Sequence, residues 1–363
     1  MRFKSVATRE LSTLADVRRT ALEKLDPAVA DFLEGGAGEE GTLSANRSAF
    51  GRWAFSQRVM SGLGPPDLGA GFLGVDLAMP VLTAPFGADG LFHPEGQLAV
   101  AEANAAFGLS SIVPEAGTHS VESVAAAAPA AARIAQLHPM GSEVNFRQMV
   151  RRIEDAGYQA LCLTVDCPTG GWRERIIRNS FDLEDVYVSG NYPADGTAKL
   201  EEVFGQLFAR DSAVWSWDRL ADLMTHTDLP WAAKGIMTAE DAVAAEKAGA
   251  SAVYVSNHGG RQLDGVRASL DALVEVKEAI GDRLQIAFDS GIRRGADIVK
   301  AIALGADVVV IGRLAVYGLT AAGITGVERV HTLLRDEMQT ILTLLGHGGI
   351  ADLTRDALVE VRP

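Results

Sequence analysis

Cysteine and positive charge are both scarce in this sequence, and each shortage excludes a class of protein. Two cysteines, Cys162 and Cys167, cannot form a disulfide framework in a chain of 363 residues, which suits a reducing compartment. The 33 basic residues are outnumbered by 47 acidic ones, and the net charge of −14 opposes binding to nucleic acid or to an anionic membrane. A small anionic substrate is still allowed, because a local pair of arginines outweighs a distant net charge.

Long apolar runs are also missing. No run reaches the roughly 18 residues of a membrane span, and the first ten residues, MRFKSVATRE, lack the apolar centre of a secretion signal. Hydrophobic residues nevertheless make up 48% of the chain and charged residues 22%, which is typical of a globular protein with a large core. We therefore expect a soluble, cytoplasmic enzyme or binding protein with no nucleic-acid or membrane partner.

From Met79 onward the chain repeats one unit, in which a short apolar run is followed by a loop and a helix-like segment. Apolar runs of this kind are typical of parallel strands in β–α units. They lie at 80–84, 109–113, 133–137, 161–165, 230–233, 252–255, 285–288 and 308–311. Eight such units predict an α/β fold of the (β/α)8 or TIM-barrel type. An open doubly wound sheet is the alternative, but no Gly-rich dinucleotide fingerprint opens the first unit.

Two segments do not follow the repeat. Residues 1–78 contain helix-like stretches and form a predicted lead-in or cap, so the barrel itself takes residues 79–363. Residues 167–214 form a connection far longer than an ordinary βα loop. Because this connection follows the fourth strand, we expect it to act as a lid over the C-terminal mouth of the barrel, where barrels of this type carry their chemistry.

Residues that can bind or react with a ligand lie at or just after the ends of most predicted strands, at the positions that line the mouth of a barrel. They are Gln136, His138, Thr164, Asp166, Arg173, Lys234, Ser256, His258, Arg261, Asp289, Gly312 and Arg313.

His258 is the strongest candidate for a catalytic base among them. A single histidine near a strand end is more often structural or solvated, but here glycines surround it and Arg261 follows three residues later. An imidazole near neutral pKa removes a proton from a hydroxyl or a carbon acid. Asp166, at the end of a neighbouring strand, is suitably placed to orient His258 and to stabilise its protonated form.

Arg173 and Arg261 come from different loops at the mouth and predict a site for a carboxylate. A planar guanidinium matches a carboxylate with two parallel hydrogen bonds, which lysine cannot do. Arg175 and Arg178, in the same loop as Arg173, are interpreted as surface residues.

A phosphate site is predicted after the last two strands. The loop DSGIRRG (289–295) precedes a helix and IGR (311–313) follows the eighth strand, and barrels bind phosphate at this place with backbone N–H groups and a helix N-terminus. Lys234 ends an apolar strand, and buried lysines are rare without a partner, so it is expected to serve an electron-rich ligand. A phosphorylated cofactor follows from these two observations.

At this combination of motifs the sequence resembles the FMN-dependent α-hydroxy acid oxidases and dehydrogenases, which include glycolate oxidase, lactate oxidase and mandelate dehydrogenase. The matching stretches are SNHGGRQLDG, FDSGIRRGADIVKAIALGADVVVIGR, TVDCPTGGWRER, AKGI, FHPEGQLAVA and DFLEGGAGEEGTLSANRSAF. They extend over nearly the whole chain. Within the family, the leader and FHPEGQ are most similar to hydroxymandelate oxidases.

The resemblance implies FMN across the mouth of the barrel. It places the phosphate on Gly291, Arg293, Gly312 and Arg313. It assigns the flavin ring to Pro85, Phe86, Gly87, Gln136, Thr164 and Ser256, the pyrimidine end of the flavin to Lys234, and the ribityl chain to Asp289. No metal is implied.

The resemblance also implies the substrate site and the reaction. His258, oriented by Asp166, would act as base on an L-2-hydroxy acid with an aryl or bulky side chain. Arg261 and Arg173 would hold the carboxylate of this substrate. Phe32 and His138 would line the substrate site. The product is the 2-oxo acid, the electrons pass to O2 or to another acceptor, and the family suggests a homotetramer.

Five positions depart from the family pattern. Phe32 and His138 stand where tyrosines are common, and Pro114 and Glu115 replace small or hydroxyl residues beside the flavin. Gly87 stands where many oxidases have alanine, which resembles lactate monooxygenases.

These departures keep two alternatives open. One is the same flavin scaffold acting on an amino acid or a natural-product intermediate, or by oxidative decarboxylation. The other is a flavin-binding protein without turnover, against which His258, Asp166 and the two arginines argue. Barrels of the inosine monophosphate dehydrogenase type would need a catalytic cysteine loop, and neither cysteine is placed for one.

Overall fold

A computed structural model describes residues 11–193, 196, 205 and 215–361. Three short strands precede the barrel, β1 (Trp53–Phe55), β2 (Ala70–Phe72) and β3 (Val75–Leu77). The barrel strands are β4 (Val81–Thr83), β5 (Ser110–Val113), β6 (Arg133–Leu137), β7 (Ala160–Thr164), β8 (Trp231–Ile236), β9 (Ala252–Val255), β10 (Gln285–Phe288) and β11 (Val308–Ile311). A last strand, β12 (Leu358–Glu360), lies near the end of the chain.

The eight strands β4 to β11 form a closed, all-parallel barrel, so the predicted TIM barrel is confirmed. Each predicted apolar run overlaps one barrel strand. Strand β7 begins one residue before its predicted run, and β8 extends beyond its predicted end to Ile236. Every residue of β4, β5, β6, β7, β9 and β11 is buried. Parallel strands covered by helices on one face and by the barrel interior on the other must be apolar on both, which is why these runs are continuous rather than alternating.

Helices surround the barrel and cap its ends. They are α1 (Leu14–Lys24), α2 (Pro27–Glu34), α3 (Gly41–Ser48), α4 (Gly96–Ala106), α5 (Val121–Ala127), α6 (Glu143–Asp155), α7 (Glu174–Arg178), α8 (Trp217–Met224), α9 (Ala239–Lys247), α10 (Ser269–Ile280), α11 (Gly295–Ala303) and α12 (Arg313–Leu345). The last of these is interrupted at Ala322 and Gly323, whose backbone angles are not helical. None of the described helices combines the length and the apolar character needed to cross a bilayer.

The segment before the barrel covers both of its ends. The hairpin of β2 and β3 lies at the end where the strands begin, since Gln285 at the start of β10 accepts a hydrogen bond from the Leu73 amide (2.8 Å). The helices α2 and α3 lie at the opposite end, where backbone carbonyls of residues 32–35 contact arginines of the mouth. Strand β1 pairs with β12, which joins this segment to the other end of the chain.

The long connection after β7 lies against the mouth where it is described. Gly190 donates to the carbonyl of Gly117 (3.0 Å), and Asn191 accepts from the Val121 amide (3.0 Å). Most of residues 194–214, the later part of the predicted lid, lies outside the described residues.

Candidate active site

A cavity of about 680 Å³ opens at the C-terminal ends of the barrel strands. That volume is in the range of sites for cofactors and small ligands. All but two of the predicted site residues line it: Phe32, Pro85, Phe86, Gly87, Gln136, His138, Thr164, Arg173, Lys234, His258, Arg261, Asp289, Gly291, Arg293, Gly312 and Arg313. The tertiary structure therefore brings together residues that are up to 281 positions apart in sequence, counted from Phe32 to Arg313.

The two remaining residues, Asp166 and Ser256, lie behind His258. They line an adjoining cavity of about 570 Å³ instead. The backbone amide of His258 donates to Oγ of Ser256 (3.0 Å), and the Asp166 carboxylate contacts the His258 ring. Ser256 thus supports the loop of the base in this structure, although the sequence assigned it to the flavin ring.

His258 lies in a left-handed turn together with the two glycines that follow it. Its φ is +60°, and Gly259 and Gly260 follow with φ of +67° and +74°. This conformation costs a residue with a side chain roughly 1–2 kcal/mol, whereas glycine adopts it freely. A Cβ on Gly260 would lie 2.7 Å from the backbone nitrogen of Leu43, so the second glycine also allows α3 to approach. The turn presents the imidazole to the cavity.

The imidazole of His258 lies between a carboxylate and an ammonium group. Its Nδ1 is 3.1 Å from Oδ2 of Asp166 and 3.2 Å from Nζ of Lys234. An ionised carboxylate only accepts hydrogen bonds, so Asp166 favours the tautomer with the proton on Nδ1. Nε2 is then the nitrogen that can take a proton from a ligand.

Burial and the nearby charges set the protonation state of this pair. Burial lowers the pKa of His258 to about 4, helped by the Lys234 ammonium and opposed by Asp166. Burial would raise the pKa of the Asp166 carboxyl, but Lys234 and His258 outweigh it and hold that pKa well below its usual range. At neutral pH the site therefore holds an ionised Asp166 beside a neutral imidazole.

Lys234 is buried and keeps its charge. Burial would lower its pKa, but the carboxylates of Asp166 and Asp289 more than compensate and raise it. Tyr254 lies beneath the ammonium, 5.6 Å from ring centroid to Nζ, and donates to Asp289 (2.7 Å). Lys234 is buried and lines the cavity, and its service to an electron-rich ligand stays a prediction.

Arg173 binds the loop that carries Arg261, whereas Arg261 binds the end of helix α2, and neither pairs with a carboxylate among the described residues. Nη1 of Arg261 donates to the carbonyls of Phe32 (2.7 Å) and Gly35 (3.0 Å). Nε of Arg173 donates to the Arg261 carbonyl (3.0 Å), and its Nη2 donates to Gln262 (3.1 Å). Burial lowers the pKa of both guanidiniums, and for Arg261 the charges of Arg173 and Arg313 add to the effect.

The opposite side of the cavity has the features of a phosphate site. Arg313 donates to the carbonyls of Leu33 (2.9 Å) and Gly259 (3.2 Å), and Arg293 donates to the Tyr317 hydroxyl (3.3 Å). Arg294 turns away and pairs with Glu337 (2.6 Å), which explains why only one arginine of the RR pair lines the cavity.

Gly291 completes this side with a backbone that allows no side chain. Its φ is +85°, and a Cβ would lie 2.2 Å from the carbonyl oxygen of Asn46. A glycine held this closely lets the backbone form part of a cradle for a ligand.

The cavity is short of negative charge. Arg173, Arg261, Arg293 and Arg313 make no ion pair with a carboxylate in the described part of the chain. Burial lowers the pKa of Arg313 as well, and the charge of Arg293 contributes. Buried cations are costly unless they are paired. Anionic ligands would supply the missing partners, and a phosphorylated cofactor with a carboxylate substrate fits this set of donors.

Four phenylalanines form an apolar wall beside Arg261. Phe32 stacks on Phe92 with 6.3 Å between ring centroids and lies 5.2 Å from Phe181. Phe86 contacts Phe92 edge-on at 6.4 Å. All four line the 680 Å³ cavity, and the Arg261 guanidinium lies over the Phe32 ring, 5.2 Å from its centroid.

Some contributors were missed by sequence reasoning. Gln262 donates to the carbonyl of Asp166 (3.0 Å) and accepts from Arg173, so it links the base to the arginine pair. The sequence feature that could have identified Gln262 as a site residue is its position directly after Arg261. Sγ of Cys167 lies 3.6 Å from Nδ1 of His258 and 3.6 Å from Oδ1 of Asp166.

Asp166, Cys167 and His258 together form a set of metal-ligand types within 4.8 Å of one another. The Lys234 ammonium, 3.2 Å from the imidazole and 3.9 Å from the carboxylate, opposes a cation at this position. We assign no metal to it.

Comparison with known proteins identifies the family. A family model described as FMN-dependent dehydrogenase matches residues 21–360. Glycolate oxidase 3 of Oryza sativa subsp. indica is 37% identical over 354 residues, with 96% of each chain covered. L-lactate oxidase of Lysinibacillus sphaericus (strain C3-41) is 38% identical over 355 residues, covering 95% of this chain and 92% of the relative.

Solved structures of mandelate oxidase are similar along the same length. The structure with benzoyl-formic acid is 36% identical and has a TM-score of 0.87, with 96% of this chain and 97% of that chain covered. The fold, the cation-rich cavity and these matches lead to one conclusion: the chain belongs to the FMN-dependent dehydrogenase family and is an oxidoreductase with FMN as its cofactor.

Proposed function

We propose that this protein oxidises an L-2-hydroxy acid with an aryl or otherwise bulky side chain to the 2-oxo acid, and that O2 or another acceptor takes the electrons. One observation carries the proposal: the neutral His258, paired with Asp166, faces the same cavity as two partly buried arginines that hold no carboxylate among the described residues. Base and carboxylate clamp are the two elements that this oxidation requires of the protein.

The arginines bind the substrate. Arg261 and Arg173 receive its carboxylate, which replaces water and relieves the mutual repulsion of the two guanidiniums. The hydrogen bonds that already tie Arg261 to the carbonyls of Phe32 and Gly35 keep its side chain in place before the substrate arrives. Binding therefore costs less side-chain entropy than it would for a free arginine.

His258 moves the proton. Nε2 accepts a proton from the substrate, and the imidazolium that results is stabilised by Asp166 at Nδ1. The ammonium of Lys234 is a permanent counter-ion for Asp166. The carboxylate therefore does not keep the imidazole protonated before the substrate binds.

The cofactor supplies the redox chemistry. When bound, FMN would accept the two electrons that the alcohol carbon loses, together with the one of the two substrate hydrogens that His258 does not take. Residues that would hold it are Arg293, Arg313, Gly291 and Gly312 at the phosphate, Asp289 at the ribityl chain, and Lys234, Gln136, Thr164, Pro85, Phe86 and Gly87 at the ring, all of which line the cavity. Lys234 would place its charge where the reduced ring becomes negative.

The preference for an aryl side chain is supported by the wall of Phe32, Phe86, Phe92 and Phe181. Aromatic rings favour edge-to-face and offset contacts with another ring. Mandelate oxidase, which is similar in fold and sequence, has been solved with benzoyl-formic acid, and a mutant of it has been solved with (S)-mandelic acid.

Oxidative decarboxylation is less favoured by the surroundings of Gly87. A Cβ at this position would lie 2.6 Å from the carbonyl oxygen of Ala116. The space that an alanine side chain would take is thus filled by backbone, and does not enlarge the site for a retained product. An amine substrate is not favoured by Glu115 either, because His138 and Tyr192 already bind that carboxylate.

The test is anaerobic mixing of the FMN-loaded protein with a panel of substrates while the visible flavin absorbance is followed. The panel holds L- and D-mandelate, 4-hydroxymandelate, lactate, glycolate and the matching amino acids. We expect fast bleaching by the L-aryl 2-hydroxy acids, and admission of air then separates an oxidase from a dehydrogenase. Bleaching by amino acids alone, or none at all with FMN bound, would contradict the proposal. Light scattering on the same sample tests the proposed homotetramer.

A further inference from the structure

A second carboxylate–histidine pair lies at the edge of the same cavity. Oε2 of Glu115 accepts from the backbone amide (2.7 Å) and from Nδ1 (2.9 Å) of His138. Oε1 of Glu115 accepts from the hydroxyl of Tyr192 (2.5 Å). The two side chains of the pair are only 4% and 12% exposed. A carboxylate this buried is tolerated because each of its oxygens has a donor.

The carboxylate determines how the imidazole is oriented. An ionised carboxylate accepts only, so the hydrogen of their shared bond belongs to Nδ1 of His138. In a neutral imidazole the other nitrogen, Nε2, is then an acceptor. Because Nδ1 is turned to Glu115, Nε2 is the nitrogen through which His138, a cavity-lining residue, can act on a ligand.

Further contacts hold Glu115 itself. Its backbone amide donates to Oε1 of Gln136 (3.3 Å), and its carbonyl accepts from Nδ2 of Asn191 (2.8 Å). The bond to Gln136 directs the amide nitrogen of that side chain toward the His138 ring, 3.3 Å from Nδ1 and 3.4 Å from Nε2. Because the hydrogen on Nδ1 is directed at Glu115, this amide can donate only to Nε2, and a donor group of the substrate would replace it there. Glu115 is therefore fixed on three sides: by strand β6, by the long connection after β7, and by the histidine.

We propose that Glu115 is a positioning residue of this active site. It acts through His138, holding the ring in one orientation and one tautomer so that Nε2 accepts a hydrogen bond from a donor group of the substrate. The inference rests on the proposed function, since it needs a substrate in the cavity. This role links two of the departures from the family pattern, His138 and Glu115. A histidine at position 138 would turn freely without a fixed partner, and Glu115 is that partner.

A double-mutant cycle in the FMN-loaded enzyme tests this. Glu115→Gln is compared in the natural background and in His138→Phe, with kcat and KM measured separately for the best 2-hydroxy acid. We expect Glu115→Gln to lower kcat/KM by about 10- to 100-fold, the range found when the group that orients a ligand-binding histidine is lost. In His138→Phe the same change should cost less than about twofold, because residues that act together are not additive. Equal losses in the two backgrounds would overturn the proposal.

Tyr192→Phe is the matched control. It removes the other hydrogen bond to the Glu115 carboxylate and leaves the contact with His138 intact. If the network served only to attach the long connection to the barrel, Tyr192→Phe would be as damaging as Glu115→Gln. We expect a much smaller loss. FMN content and melting temperature check each variant, and Glu115→Asp, which keeps the charge but shortens its reach, replaces any Glu115→Gln protein that does not fold.

A measurement without turnover separates this inference from the proposed function. In 15N-histidine-labelled holoenzyme, the His138 signal is identified by its loss in His138→Phe. Neutral His138 should show the Nδ1–H tautomer in the natural protein and a mixture in Glu115→Gln. An unchanged tautomer would overturn the positioning role even if hydroxy acids are oxidised. If no hydroxy acid bleaches the flavin while the tautomer changes, the proposed function fails and the role of Glu115 in orienting His138 stands.

Discussion

Two carboxylate–histidine pairs face one cavity, and their neighbours differ in charge. Asp166 and His258 lie beside the ammonium of Lys234, whereas Glu115 and His138 are surrounded by a tyrosine hydroxyl and side-chain amides. In the first pair burial and the ammonium of Lys234 lower the pKa of the imidazole, so it is left neutral and able to take a proton, and Lys234 is also the counter-ion of the carboxylate. In the second the carboxylate is satisfied by neutral donors and by the histidine itself. The same two functional groups thus receive different tasks from what surrounds them.

The largest effect is expected from removing the base of the first pair. His258→Ala should retain FMN, because the phosphate side of the cavity is untouched, and should lower the rate of flavin reduction by substrate by about 10²- to 10⁴-fold or more. Stopped-flow absorbance under anaerobic conditions measures this rate. An undiminished rate of flavin reduction would show that His258 is not the base. The proposed difference in role between His258 and His138 would then fail.

Asp166→Asn should be nearly as damaging. The amide no longer stabilises the imidazolium and can impose the wrong tautomer, which we expect to lower kcat by about 100- to 1,000-fold with little change in FMN affinity. The counterpart in the second pair, Glu115→Gln, should cost less. A loss from Asp166→Asn smaller than that from Glu115→Gln would reverse the proposed ranking of the two pairs.

The carboxylate clamp is tested by Arg261→Lys. A point charge replaces a planar fork, and the loss of a charged hydrogen bond worth roughly 1.5–3 kcal/mol should raise KM by about 10- to 100-fold while kcat changes little. Arg175→Lys is the control, since Arg175 lies in the same loop but pairs with Asp31 (3.6 Å) and Glu40. Unchanged saturation kinetics in Arg261→Lys would exclude this arginine from substrate binding.

The smallest effect concerns pH. The pKa of His258 is lowered from 6.5 to about 4, so the base is neutral at every pH well above 4 and becomes protonated, and inactive, below it. The kcat/KM of a substrate that stays ionised should therefore be level between about pH 5 and pH 7 and fall about tenfold per pH unit below about pH 4. A pH profile taken with short exposures checks this. An acid limb near pH 6.5 would show that burial and Lys234 do not depress the pKa of His258 in the working enzyme.

The barrel and most of the site residues could be predicted because they depend on local pattern. Each strand is buried on both faces, which leaves a continuous apolar run in the sequence, and the residue after such a run necessarily points into the mouth. His258, Lys234 and Arg313 were found in this way. The glycines that follow His258 and the glycine at 291 were equally visible, since positive φ at these positions requires them.

Other features depended on contacts between distant segments. The division of residues 11–78 between the two ends of the barrel, the placement of Ser256 behind the base, and the approach of Cys167 to His258 follow from no local pattern. The link between Glu115 and Tyr192 joins residues 77 positions apart. A sequence read along its length gives the types of residue at the mouth but not which of them touch.

The sequence by itself determined the barrel, the family and the chemical inventory of the active site, because hydrophobic periodicity and the residues after each strand are local properties of the chain. Only the tertiary structure decided which histidine became the neutral base and which was bound to a buried glutamate. That outcome depends on distances of about 3 Å between groups from different strands, such as Lys234 and His258 at 3.2 Å and Glu115 and His138 at 2.9 Å, and closure of the barrel alone sets those distances.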